Sequence, residues 1–141
     1  MLFKKNQFMN WWTPTGKTVR KRMGDVLRVY CNGKRHTVTL GHGVCEQLDL
    51  NPAEVRAAFV LDDDNPVVTF NPVPGVPFVT LRATGNAKSP QISSVELADS
   101  FAKRFDLSKR CKYYDFKLEG WERFNGMSFF TLIPQEGDCD E

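Results

Sequence analysis

The apolar positions fall into short alternating runs separated by turn residues. Asp25 to Cys31, rich in Val, Leu and Tyr, reads as a strand. Asn32-Gly33 is a strong hairpin turn, and Arg35 to Leu40 returns as a second strand with Val38 and Leu40 on one face. Val44 and Leu48 are four apart, which predicts a brief helix over about His42 to Leu48. Asn51-Pro52 opens a turn, Val55 to Leu61 reads as a strand, Asp62-Asp63-Asp64-Asn65-Pro66 as a turn and Val67 to Phe70 as a strand. The order is β-β-α-β-β. Asn71 to Pro77, with Pro72, Pro74, Gly75 and Pro77, is a stiff connector too short to separate independent domains. The plan then repeats. Phe78 to Ala83 is a strand and Thr84-Gly85-Asn86 a turn. Ser93 with Glu96 forms a capping box that starts a helix lined by Leu97, Phe101 and Phe105. Lys103 and Arg104 suit the negative end of that helix. Cys111 to Leu118 is a strand, Glu119 to Gly126 a longer hairpin loop, and Met127 to Ile133 the last strand.

The repetition extends to individual residues. Leu27-Arg28 recurs as Leu81-Arg82, Asn32 as Asn86, Lys34 as Lys88 and Val38-Thr39 as Ile92-Ser93, all 54 apart. Leu48-Asp49-Leu50 returns as Phe105-Asp106-Leu107, and Phe59-Val60-Leu61 as Phe116-Lys117-Leu118, 57 apart. Val67 to Pro72 returns as Phe129 to Pro134, 62 apart. Two changes of offset, by three and by five residues, suit an extra helical turn and a longer hairpin. These matches predict a tandem duplication, with repeat one at 25–72 and repeat two at 78–134.

A chain of 141 residues suits one domain. No apolar run approaches the roughly 20 residues of a membrane helix, and no h-region follows Lys4 and Lys5. Cys31, Cys45, Cys111 and Cys139 are widely spread without a C-x-x-C pair, and are expected to be reduced thiols in a cytoplasmic protein. The net charge of +2 is uneven. Residues 1–25 carry Lys4, Lys5, Lys17, Arg20, Lys21 and Arg22 against Asp25, or +5; residues 26–72 carry −2 and residues 73–134 carry +3. The tail, 135–141, carries Glu136, Asp138, Asp140 and Glu141, or −4. Ends of opposite sign suggest contacts made by the termini. In the arm, 1–24, Phe8, Trp11 and Trp12 are expected to pack against the barrel, a second subunit or a ligand. Aromatics interleaved with basic residues also suit single-stranded nucleic acid.

The hairpin, short helix, Leu48-Asp49-Leu50 exit, turn and second hairpin resemble the AbrB-like swapped-hairpin DNA-binding family. Val38-Thr39-Leu40, Val44 to Leu50, Asn51 to Glu54, Phe59 to Asp63 and Val67 to Phe70 carry the resemblance. Two copies in one chain look like the fused, MraZ-like form. It implies a mainly β, pseudo-two-fold swapped-hairpin or cradle-loop barrel, and double-stranded DNA as partner. Arg28, Lys34, Arg35, Arg82 and Lys88, with Arg20, Lys21 and Arg22 of the arm, are the candidate contacts. The chain departs from the family in having Gly41 where a proline is usual, and Cys45 and Glu46 where basic residues are usual.

Enzyme chemistry has little to stand on. His36 and His42 have no Cys or carboxylate at metal-ligand spacing, and Asp62-Asp63-Asp64 lacks the glycine and distant glutamate of a calcium loop. Gly41-His42-Gly43 is followed by no G-K-[ST], and no G-x-S-x-G elbow occurs. The expectation is therefore a non-enzymatic protein without metal or cofactor. Its first reading is a small DNA-binding regulator. The alternative is an assembly subunit, such as a phage virion or accessory protein, docking or self-associating through Phe8, Trp11 and Trp12.

Overall fold

The structure, a computed structural model, describes residues 26–31, 34–62, 64–107 and 111–135. The N-terminal arm, the turn at Asn32-Gly33 and the acidic tail lie outside the described residues. Among the described residues, eight strands follow the alternation of apolar positions: β1 (Leu27–Tyr30), β2 (Thr37–Leu40), β3 (Val55–Val60), β4 (Val67–Phe70), β5 (Val79–Leu81), β6 (Gln91–Ser93), β7 (Tyr114–Phe124) and β8 (Met127–Pro134). Helix α1 (His42–Leu48) joins β2 to β3, and α2 (Val95–Phe105) joins β6 to β7. The fold is mainly β, as expected.

All strands belong to one antiparallel sheet in the order β5-β3-β4-β8-β7-β1-β2-β6. A single bridge, Arg82 to Gln91, links the two outer strands, so the sheet is a nearly closed barrel. Going round it, the hairpins alternate between repeats: β1–β2, β6–β5, β3–β4, β8–β7. The pairing is two-fold symmetric. Val38 faces Ile92 across β2–β6, and Val68 faces Phe130 across β4–β8, so residues equivalent in the two repeats pair with each other at the axis.

The register corrects one part of the repeat alignment. Leu27 pairs with Phe116 and its equivalent Leu81 pairs with Val55, so Val55 matches Phe116, 61 positions on. The expected match of Phe59 with Phe116 is four residues out of step. The equivalence at the helix exit holds, because Asp49 and Asp106 are both left-handed C-caps, with φ of 57° and 51°. The four extra residues therefore lie between Asp106 and β7, not in the hairpin. Two further corrections have local causes. Ser93 pairs with Thr37 in the sheet, so Ser94 caps α2 instead, its hydroxyl accepting from the Leu97 N–H at 3.1 Å. The expected loop at Glu119 to Gly126 is mostly strand. Asn125 and Gly126 both take positive φ, 53° and 78°, and this tight turn lets β7 and β8 pair up to its edge. A bulge between Glu119 and Glu122 absorbs the extra length.

The barrel interior is filled by Leu27, Val29, Val38, Leu40, Val55, Val68, Leu81, Phe116, Leu118 and Leu132, all essentially inaccessible. Side chains filling the lumen are the normal solution for eight strands. The helices seal it unequally. Helix α2 inserts Phe101 against Phe59, Phe105 and Phe116, at centroid distances of 5.5, 6.0 and 5.3 Å. Helix α1 buries only Val44 and Cys45. Cys31 and Cys45 are buried and form no disulfide, but Cys111 is disulfide-bonded, which corrects the expectation of reduced thiols throughout. No helix among the described residues is long and apolar enough to cross a membrane.

Candidate functional site

An open cavity of about 520 Å³ lies where the β1–β2 hairpin meets the start of α2. Lys34, Arg35, His36, Thr37, Gln91, Ser93, Ser94 and Val95 line it. The register explains why these distant residues meet. Thr37 and Thr39 face Ser93 and Gln91 across β2–β6, and their side chains point away from the barrel axis because Val38 and Leu40 fill the core. The Ser94 N–H donates to the His36 carbonyl at 3.0 Å, which pins the α2 cap against the hairpin. Apart from Val95, every lining side chain is polar or cationic, and no carboxylate lines the cavity among the described residues. Exposed Glu96 sits in the first turn of α2, outside the lining.

Arg35 is held in place from behind. Its guanidinium lies 3.7 Å over the Tyr30 ring, and Tyr30 meets Tyr113 edge to face at 5.8 Å. The Arg28 guanidinium stacks 3.7 Å over the other ring, Tyr113. Stacking restricts a long side chain without using its hydrogen bonds, so Arg35 keeps donors for a ligand.

The remaining candidates are dispersed. Arg28 is committed to Asp115, its cross-strand neighbour, with Nε to Oδ1 at 2.7 Å and Nη2 to Oδ2 at 3.0 Å. The hydrogen bonds to Asp115 raise its pKa well above the ordinary arginine value, against the opposing effect of burial. Arg82 pairs with Glu54 at 3.5 Å, and Glu54 also holds Arg56 at 3.2 Å. Lys88 is exposed on the β5–β6 connection, at the opposite end of the β2–β6 pair from Lys34. Of the candidate DNA contacts, then, the structure brings together Lys34 and Arg35. Arg20, Lys21, Arg22, Phe8, Trp11 and Trp12 lie outside the described residues.

Sequence reasoning missed Thr37, Gln91, Ser93 and Ser94 as lining residues. The signal was present in the repeat itself, since the 54-residue offset relates Val38 to Ile92, but nothing in it said that these equivalents pair with each other. Among the described residues no group of His, Cys, Asp and Glu is arranged to hold a metal ion. A second cleft, of about 240 Å³, runs beside the β7 bulge between Asn65, Val67, Glu119, Glu122, Phe129 and Thr131. Comparison with protein-family models, curated proteins and solved structures finds no match.

Proposed function

We propose that the protein binds duplex DNA through the β1–β2 hairpin, as a small regulator does. The cavity at Lys34 and Arg35 carries the reading, because it offers two cations and several neutral donors with, among the described residues, no carboxylate to repel an anion. Phosphate oxygens accept from such groups, and released counterions supply much of the affinity. The resemblance to AbrB-like domains adds the same hairpin as the expected contact. The barrel, 26–134, carries only +1, so binding rests on local clusters and not on a general field. Contacts by Lys34 and Arg35 imply a slope of log affinity against log salt of about −2. Engagement of Arg20, Lys21 and Arg22 as well would steepen it to about −4.5. The test is equilibrium binding to random-sequence duplex over a salt series. Lys34→Ala/Arg35→Ala is expected to weaken binding and flatten the slope by about 2. Absence of binding at low salt would refute the reading.

A role as an assembly subunit is the second reading, favoured by Phe124. It is 64% exposed at the end of β7, beside the Asn125-Gly126 turn. Self-association that is lost in Phe124→Ser, measured by sedimentation, would favour that role.

A further inference from the structure

We propose that the cavity at Lys34 and Arg35 is a binding site for a small sugar phosphate, which competes there with DNA. The competition rests on the DNA-binding reading; occupation of the cavity by the small ligand does not. At about 520 Å³ the cavity lies within the range of small-molecule sites, about 300–1,000 Å³, and exceeds what one phosphate group of a DNA backbone fills. Its lining divides by chemistry. Lys34 and Arg35 are cationic, and Arg35 is already ordered by stacking 3.7 Å over Tyr30. Thr37, Ser93 and Ser94 bring hydroxyls and Gln91 an amide. Among the described residues, the side chains of Lys34, Thr37, Gln91 and Ser93 make no hydrogen bond or ion pair, unlike those of Arg28 and Arg82. The Ser94 hydroxyl accepts from the Leu97 N–H, and its own hydrogen can still be donated to a ligand. Thr37 is 4% exposed although it lines the cavity. Thr39, the next residue on the same face, is 5% exposed with a hydroxyl that has no partner. Buried polar groups are normally hydrogen-bonded, so hydroxyls left unsatisfied beside an open cavity point to a polar ligand.

The two parts of the lining match the two parts of a sugar phosphate. A phosphomonoester carries a charge of about −1.5 to −2 at neutral pH, which the two cations of one cavity balance. The hydroxyls and the Gln91 amide suit a hydroxylated skeleton, because each can donate and accept. A nucleotide base finds little to stack on, since among the described lining residues the only ring is His36. Lys34 and Arg35 are also the proposed DNA contacts, so a bound sugar phosphate neutralises the charges that a DNA phosphate would meet.

The test uses the full chain and ribose 5-phosphate, with inorganic phosphate, ribose and adenosine monophosphate as comparisons at matched ionic strength. Titration with ribose 5-phosphate is expected to move the backbone amides of Lys34 to Thr37 and Gln91 to Val95, and ribose should leave them in place. Lys34→Ala/Arg35→Ala should weaken the sugar phosphate by more than about 100-fold. Gln91→Ala should weaken it by about 2- to 10-fold and leave inorganic phosphate unchanged. Unmoved cavity amides would overturn the inference. Equal affinity for ribose 5-phosphate and inorganic phosphate, insensitive to Gln91→Ala, would also overturn it by reducing the cavity to an anion site. Tighter binding of adenosine monophosphate than of ribose 5-phosphate would overturn the ligand class. Ribose 5-phosphate should displace random-sequence duplex, and simultaneous binding of the two would overturn the competition. Duplex binding without sugar-phosphate binding would refute this inference alone. Sugar-phosphate binding without duplex binding would refute the DNA reading and leave the small-ligand site.

Discussion

The barrel contains the same ion pair twice, in two different settings. Arg28 and Arg82 are equivalent by the 54-residue offset, and Asp115 and Glu54 by the 61-residue register of β3 and β7. One pair is bidentate and enclosed, with side chains 15% and 5% exposed. The other is a single 3.5 Å contact with side chains 58% and 41% exposed. Twinned positions have taken different work. The enclosed pair anchors β1 to β7 below the cationic cavity, and its Arg28 helps hold the tyrosines on which Arg35 rests. The open pair is a surface network shared with Arg56. The helices diverge in the same sense. The longer, capped α2 supplies the phenylalanine plug and one wall of the cavity, while α1 begins at Gly41 with no side-chain cap.

Removing one partner from each pair breaks the comparison most sharply. Asp115→Ala leaves the Arg28 charge enclosed without its counterion, and is expected to cost about 3–5 kcal/mol in urea denaturation. Loss of well under 2 kcal/mol would mean that Arg28 reaches water in solution. An intermediate effect belongs to Cys45, whose thiol is pushed up to about 11, mainly by burial. A raised native pKa keeps more protons bound in the folded than in the unfolded chain above the ordinary thiol value. The contribution is therefore complete at neutral pH and is lost as pH rises towards about 11. Its size is on the order of 2 kcal/mol. The stability difference between wild type and Cys45→Ala should shrink over that interval, and a constant difference would contradict the burial argument. Ser94→Ala removes the α2 cap, at about 1 kcal/mol. Glu54→Ala, on the open twin, is expected to change stability by less than about 1 kcal/mol, and by less still at high salt.

The fold was largely legible because its determinants are local. Alternation and the repeat pointed to the strands, and Leu48-Asp49-Leu50 with Phe105-Asp106-Leu107 to the two helix exits, whereas Glu119 to Gly126 read as a longer loop although only Asn125-Gly126 makes the turn. Errors arose where a residue answered to a distant partner. Ser93 has the chemistry of a cap but is held in the sheet by Thr37. The apolar match of Phe59 to Phe116 was sound as a pattern, yet the strand register set a different equivalence. The site was less legible for the same reason. Lys34 and Arg35 stood out by charge, but Arg28 and Arg82 have the same charge and differ only in the carboxylate that the fold brings beside them. Nothing local distinguishes an arginine that holds the barrel together from one that lines an open cavity.

Backbone chemical-shift mapping with a short random-sequence duplex, at low salt, tests most directly whether the cavity is the functional surface. The predicted result is a contiguous set of perturbed amides at Lys34 to Thr37 and Ser93 to Val95, with little change at Glu54 to Arg56 on the opposite twin. Unperturbed cavity amides, or changes confined to other faces, would contradict it.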